Sequence, residues 1–325
     1  MDIETLRERA AVIRQVRRFF DEKGYLELDT PLLSPDLIPE SCLEVFRSDR
    51  VLPSGGTKPH WLVPSPEIWM KKTIARHRAS VYQICKCFRN GESSGFLHSP
   101  EFTMLEYYTM EAGYMESLAL TEELFAFLAG IFCESSLREN TLRPPFERIS
   151  VAEAFDLYAG FDLFAAVADG TLEDQARRLG LDPPAGTETG VLYDLIFIHA
   201  VEPNLKREKP VALLDYPAFV PCLAKPGPDG RTVERWELYH NGIELANCFS
   251  EETDAGRVKA FFQSEAEAKE RSALIRHAVD PDYWKHFSCE KPFPRCSGVA
   301  MGVDRLIMIL LGRSTIDSVL PFPME

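Results

Sequence analysis

"ERWELYHNGIELANCFSEE", residues 234–252, decides the fold class. Asn241-Gly242 at its centre is the strongest short signal for a two-residue turn between antiparallel strands, because both turn residues need positive φ. The turn predicts His240 opposite Ile243, Tyr239 opposite Glu244 and Glu237 opposite Ala246. Glu237 and Glu244 then share one face as diagonal neighbours, roughly 5–8 Å apart. Two carboxylates so placed repel unless a cation lies between them. Mg²⁺, which takes one or two carboxylates plus substrate phosphates, fits the pair. A solvated strand face accounts for the same pattern, and the local sequence leaves both readings open. Beyond the turn, Asn247, Phe249 and Glu251 alternate, yet strict alternation puts them on the face opposite Glu244. One pocket containing all four requires a bulge near Ala246.

Outward from the hairpin, two further strands, 81–88 and 101–110, flank a Gly- and Ser-rich loop. Leu6 to Lys23 has helical spacing, with Leu6, Ile13, Val16 and Phe20 on one stripe, and Gly24 ends it. Residues 25–33 alternate like a strand. Residues 115–132 form an amphipathic helix, 141–235 mix short helices with Pro-rich connections, and 255–278 is helical. "GVAMGVDRLIMILLG" (298–312) reads as a strand meeting a helix at a glycine turn. Hairpin-paired strands with helices outside predict an α+β fold with a six- or seven-stranded, mainly antiparallel sheet. The whole chain, 1–325, reads as a single domain.

Composition narrows the function. With 50 acids against 36 bases and a net charge of −14, the chain is poorly suited to neutralising a long run of phosphates. No apolar run has the length of a membrane span, and the charged N-terminus is no secretory signal. Eight cysteines without a regular framework read as reduced thiols in a cytoplasm. Cys289 and Cys296 make a conceivable zinc pair, but their spacing fits no common pattern.

Three groups of residues carry chemistry. Arg89 opens the loop after a strand, where a guanidinium can grip an anion with two hydrogen bonds. Phe102, Met104, Glu106 and Tyr108 share a face of the returning strand. Phe102 reads as core, whereas Glu106, an acid among apolar neighbours, needs a partner. Gly302-Val303-Asp304-Arg305 permits close backbone approach and places Arg305 at a helix start.

In this order the pieces resemble the class II aminoacyl-tRNA synthetases in their lysyl form. "FRNGESSGFLHSPEFTMLEYY" (88–108) resembles motif 2, residues 298–312 motif 3, and the helix and strand from Leu6 to Pro31 motif 1. Motif 1 begins within the first ten residues, so no anticodon-binding barrel is expected before it. "VEPNLKREKP" (201–210), "GIELAN" (242–247) and "CSGVAMGVDRL" (296–306) are similar to segments of the elongation factor P–lysine ligases, paralogues of the lysyl enzymes. That resemblance implies activation of (R)-β-lysine, or lysine, with ATP and Mg²⁺, and transfer to a lysine of elongation factor P. It implies a cytoplasmic homodimer joined through motif 1, with Leu6, Ile13 and Phe20 partly buried against sheet or partner, and no role for tRNA or membrane.

The same resemblance distributes the roles. Arg89 bridges the substrate carboxylate and α-phosphate. Asn90, Glu92, His98, Phe102, Glu244, Leu245, Gly302 and Arg305 complete the ATP site, with Phe102 and Arg305 sandwiching adenine. Glu237 and Glu244 hold Mg²⁺. Ser65, Pro66, Glu67, Glu106, Tyr108, Asn247, Phe249, Glu251 and Ala300 line the amino-acid side, where the acids meet ammonium groups. Leu97, Ser99 and a loop one residue longer depart from the motif 2 pattern, and Cys248, standing for a glycine, is expected to narrow the pocket. Two other readings are a tRNA-charging enzyme without its anticodon domain and a non-catalytic regulator on a synthetase fold. Retention of Arg89, Glu237, Glu244 and Arg305 speaks against the second.

Overall fold

The structure, a computed structural model, describes residues 2–92, 95–133, 141–288 and 292–323. Cys289, half of the zinc pair considered above, lies outside them. Helix α1 (Ile3–Glu22) starts at Asp2, whose side chain accepts from the Thr5 amide, and stops before Gly24 at φ 77°. Strands β1 (Leu26–Glu27), β2 (Leu33–Ser34), β3 (Arg47–Val51) and β4 (Thr57–Leu62) lead into helix α2 (Glu67–His77). Strands β5 (Val81–Phe88) and β6 (Glu101–Met110) follow, then helix α3 (Tyr114–Phe132) and strand β7 (Glu147–Ser150). After an inserted helical segment come β8 (Val211–Pro217), β9 (Thr232–His240), β10 (Ile243–Ser250), helix α4 (Ala255–Ser272), β11 (Cys296–Gly302) and helix α5 (Val303–Leu310).

The main sheet runs β1-β5-β6-β11-β10-β9-β8-β7, with β2, β4 and β3 in a small second sheet. Its five inner pairings are antiparallel, and only the edge strands β1 and β7 pair in parallel. The α+β reading is right, but the main sheet has eight strands rather than six or seven. Of the edge strands, β7 has four residues, too short for a period-2 pattern to register, and β1 keeps only two residues of the strand expected over 25–33. Residues 25–33 are not one strand either: they leave the main sheet after Glu27 and join the small sheet at Leu33, with Pro31 between. The helix expected over 255–278 ends at Ser272.

The pleat separates two chemistries. On the rear face, Tyr82, Tyr107, Val299, Cys248 and Trp236 line up in register across five strands, all at most 1 % exposed. They pack on α1, α3 and α5, and each large side chain so buried contributes about 1.5–3 kcal/mol. The inward stripe of α1 is Thr5, Arg9, Val12, Val16, Phe19 and Phe20. Leu6, expected on that stripe, is exposed, because the observed face is rotated toward the positions that reach the sheet. On the front face, register aligns Gln83, Glu106, Ala300, Asn247 and Glu237 in one row and Tyr108, Gly298, Phe249 and Arg235 in the next. A polar row through the middle of a sheet is where a site belongs. Helices α2 and α4 cover one end of this face, and the inserted segment 151–205 covers the other with its own core around Phe155 and Tyr193.

Among the described residues no helix is long and apolar enough to cross a membrane.

Candidate functional site

The hairpin turns on Asn241 (φ 51°) and Gly242 (φ 77°), both in the left-handed region as the turn type demands. His240 faces Ile243 and Tyr239 faces Glu244. The register then shifts: Leu238, not Glu237, faces Ala246, and Glu237 faces Asn247. The expected pairing of Glu237 with Ala246 is therefore wrong, while the bulge demanded by the alternation problem is present between Glu244 and Ala246. Its extra residue is Leu245, whose side chain lies in the rear core, 2 % exposed. Leu245 can therefore serve a ligand only through its backbone. The shift brings Glu244, Asn247 and Phe249 to one face.

Glu237 is tightly held. Its carboxylate accepts from Arg235 (2.5 Å), Tyr216 (2.5 Å) and Tyr239 (2.7 Å). The Glu244 carboxylate accepts no hydrogen bond among the described residues, and burial, then the charge of Glu237, push its pKa up to about 7. An underused carboxylate destabilised by its neighbour is a donor set that a divalent cation would satisfy, so the pair fits Mg²⁺.

Arg305 donates to the Glu244 carbonyl (2.7 Å) and the Leu97 carbonyl (3.1 Å), joining α5 to the bulge and to the motif 2 loop. The expected sandwich of Phe102 and Arg305 is not preformed. The guanidinium over Phe102 is that of Arg89, 5.3 Å from the ring centre, because the two carbonyls hold Arg305 in its place. Arg89 lies 3.6 Å from Glu92, and its buried Nε has no partner among the described residues. An unmatched guanidinium N–H is an anion-binding group in waiting. Asn90 is spent on local structure: its amide donates to the Val45 carbonyl and its carbonyl accepts from Gly91 N. Burial, then the charge of Arg305, lower the pKa of His98 below the usual imidazole value. Behind these groups Asp304 accepts from Thr103 N (2.7 Å) and pairs with buried Arg9 (2.7 Å), so the three motifs share one polar tie.

The other end of the face is acidic. Ser65, beside Pro66 at the start of α2, donates to Glu106 (2.6 Å) and accepts from Glu67 N (3.0 Å). Tyr108 donates to the other Glu106 oxygen (2.7 Å). Burial, then Glu67, push Glu106 up to about 7. Glu251, 2 % exposed, is pushed up to about 8 by burial, against the pull of Lys71. Asn247 accepts from Arg235 (3.1 Å), and Ala300 lies between Asn247 and Glu106 on the floor. Cys248 does not narrow this pocket. It points to the rear core, with its sulfur 3.2 Å from Ser297 Oγ.

Three participants escaped the sequence reading. Lys71, fully buried, bridges Glu67 and Glu251, and its position four residues after Glu67 on a helix was the available signal. Arg235, two residues before Glu237 on the same strand, neutralises it. Glu40 gave no local signal. Burial, then Glu67, raise its pKa to about 7, and Arg89 opposes the shift.

Gly298 is fixed by close approach: a Cβ there would lie 2.6 Å from Glu251 Oε1 and 2.6 Å from the Tyr108 ring. Gly298→Ala is expected to weaken amino-acid binding about tenfold or more by displacing Glu251 and Tyr108, at a stability cost of about 1–3 kcal/mol. Calorimetric titration and thermal melts check this, and unchanged binding would show that the contact yields freely.

The chain matches the family description "tRNA synthetases class II (D, K and N)" over residues 3–325. It is 37% identical to the Elongation factor P–(R)-β-lysine ligase of Avibacterium paragallinarum, covering 99% of this chain and 96% of that protein. Proteins of the same name from Histophilus somni (strain 2336) and Mannheimia succiniciproducens are each 35% identical, over 99% and 98% of this chain and 96% and 95% of their own lengths.

Proposed function

Because the chain belongs to the class II tRNA synthetases of the D, K and N group, we propose that it is an ATP-dependent ligase that activates (R)-β-lysine and transfers it to a lysine side chain of elongation factor P. The observation that carries this reading is a cluster of carboxylates on the same face as Arg89, buried Glu106 and Glu251 with half-buried Glu67 beside them. Carboxylates out of water call for cations, and a diamino acid supplies them. The naming of the similar proteins supports the same substrate and acceptor.

In the first step a substrate carboxylate oxygen attacks the α-phosphorus of ATP, and pyrophosphate leaves. Arg89, with its unpartnered Nε, draws the two anions together and stabilises charge at the α-phosphate. Phe102 offers its ring to adenine, and Arg305, anchored on two carbonyls, closes the other side when the base enters. Glu237 and Glu244 would hold Mg²⁺, which supplies charge neutralisation at the phosphates. In the second step the acceptor amine attacks the acyl carbon, AMP leaves, and the amine loses a proton. Ammonium recognition falls to Glu67, Glu106 and Glu251, with Tyr108 and Ser65 fixing Glu106. The enzyme works in the cytoplasm as a homodimer through α1, whose Ile3 and Leu6 are exposed. It uses a protein rather than tRNA as acceptor.

The mass of elongation factor P after incubation with ATP and each lysine isomer tests this directly. A gain of one β-lysyl unit is expected. Charging of total tRNA without modification of the protein would overturn the reading.

The acids also set a pH dependence. Glu106 titrates near 7 and Glu251 near 8, so the pocket gains protons as pH falls through that range. Ammonium groups bind the ionised forms, so binding must release those protons. Affinity for the diamino acid is expected to rise between about pH 6 and 8, up to about tenfold per unit for each titrating group, and then level off. Calorimetry in buffers of different ionisation enthalpy reads the released protons, and a flat profile would count against carboxylate recognition.

A further inference from the structure

Lysine is almost never fully buried unless paired, and Lys71 has a side-chain exposure of 1 %. Its ammonium lies 2.5 Å from Glu67 Oε1, one turn earlier on α2, and 2.6 Å from Glu251 Oε2, just past the end of β10. The ring of Phe249 lies beneath it at 5.2 Å. Among the described residues the other oxygen of Glu251 is buried without a partner, and it faces the space that Gly298 leaves open. One cation thus joins two elements of the pocket and occupies one oxygen of Glu251 while leaving the second unmatched.

We propose that Lys71 is a positioning residue for amino-acid recognition: its buried ammonium clamps Glu67 to Glu251, so that the free oxygen of Glu251 is aimed at an amine of a diamino substrate. This rests on the reading of the pocket given above. The charged and titratable groups around the clamp are Glu67 on α2, Glu106 and Tyr108 on β6, Cys296 on β11, and Tyr283 of the short helix Tyr283–Phe287. Glu40 presses on Glu67 from the segment before β3. Burial opposes the charge on Lys71, but Glu251 and Glu67 outweigh it, so Lys71 is the cation of this group. Without its pull the buried Glu251 carboxyl would hold its proton more firmly and accept from an ammonium group poorly.

Lys71→Met in the full-length enzyme tests the clamp by ATP–pyrophosphate exchange with β-lysine and lysine. The expected result is a fall in kcat/KM of about a hundredfold or more at pH 7.5, mostly in KM. ATP affinity should stay within about twofold, and the acid limb of the pH profile should move up by about one unit or more, with partial recovery toward pH 9. An equal loss at every pH with an unmoved limb would make Lys71 merely structural, and unchanged kinetics would remove it from recognition; either overturns the proposal. If the variant fails to fold, the ¹⁵Nζ resonance of Lys71 in the wild-type enzyme decides. It should report a charged ammonium and shift on adding the diamino acid but not on adding ATP, and no shift with the amino acid overturns the clamp. No exchange by the wild-type enzyme with any diamino acid would instead defeat the functional reading, which separates the two failures.

Discussion

Glu251→Gln is expected to lower affinity for the diamino acid by about two to four decades while leaving ATP binding nearly unchanged. The substitution keeps the size of the side chain and removes its charge at a position 2 % exposed to solvent. Breaking one partner out of a desolvated ion pair costs about 3–5 kcal/mol, which converts to that loss of affinity. The unmatched Glu251 oxygen is where the substrate's amine would dock, and a neutral amide there offers a weaker acceptor. Lys71 keeps its contact with Glu67, so the fold should survive. ATP is remote from the effect because its proposed contacts lie around Arg89, Phe102 and Arg305. Titration of each ligand separately makes the test, and undiminished β-lysine affinity would put Glu251 outside recognition.

At the other end of the face, Glu244→Gln is expected to reduce adenylate formation by about two to three decades. Glu237 is already paired with Arg235 and hydrogen-bonded by two tyrosines, so Glu244 is the carboxylate that awaits a cation. Its amide would keep the shape of the bulge, since Arg305 bonds the Glu244 carbonyl rather than its side chain. The direct readout is ATP affinity with and without Mg²⁺. The wild-type enzyme should bind ATP more tightly with the metal, and the variant should lose most of that difference. Near-normal ATP–pyrophosphate exchange would take magnesium away from this pair. Glu237→Gln should act in the same direction, and with an added structural cost from the loosened Arg235.

The sequence by itself determined the strand-turn-strand at Asn241-Gly242, the helices read over 6–23 and 115–132 and observed at Ile3–Glu22 and Tyr114–Phe132, and the meeting of strand and helix at Gly302. Local chemistry dictates the first two: left-handed turn residues and 3.6-residue periodicity. It even required the bulge, because period-2 alternation could not otherwise bring Glu244 and Asn247 to one face. Only the tertiary structure decided which residue bulges out, so that Leu245 went to the core and Glu237 came to face Asn247. The four-residue edge strand β7 was invisible because pairing with a neighbour, not its own pattern, makes it a strand, and β1 was legible only as part of a longer strand over 25–33. Likewise Leu6 fits a helical stripe as well as Arg9 does, and only contact with Thr103 and Asp304 turns Arg9 inward. The same limit hid Lys71. A lysine on a helix reads as solvated surface, and burying its charge makes sense only when a carboxylate 180 residues away in the sequence arrives 2.6 Å from it. Backbone chemistry acts between near neighbours and can be read from them, whereas desolvation depends on everything that closes around a group.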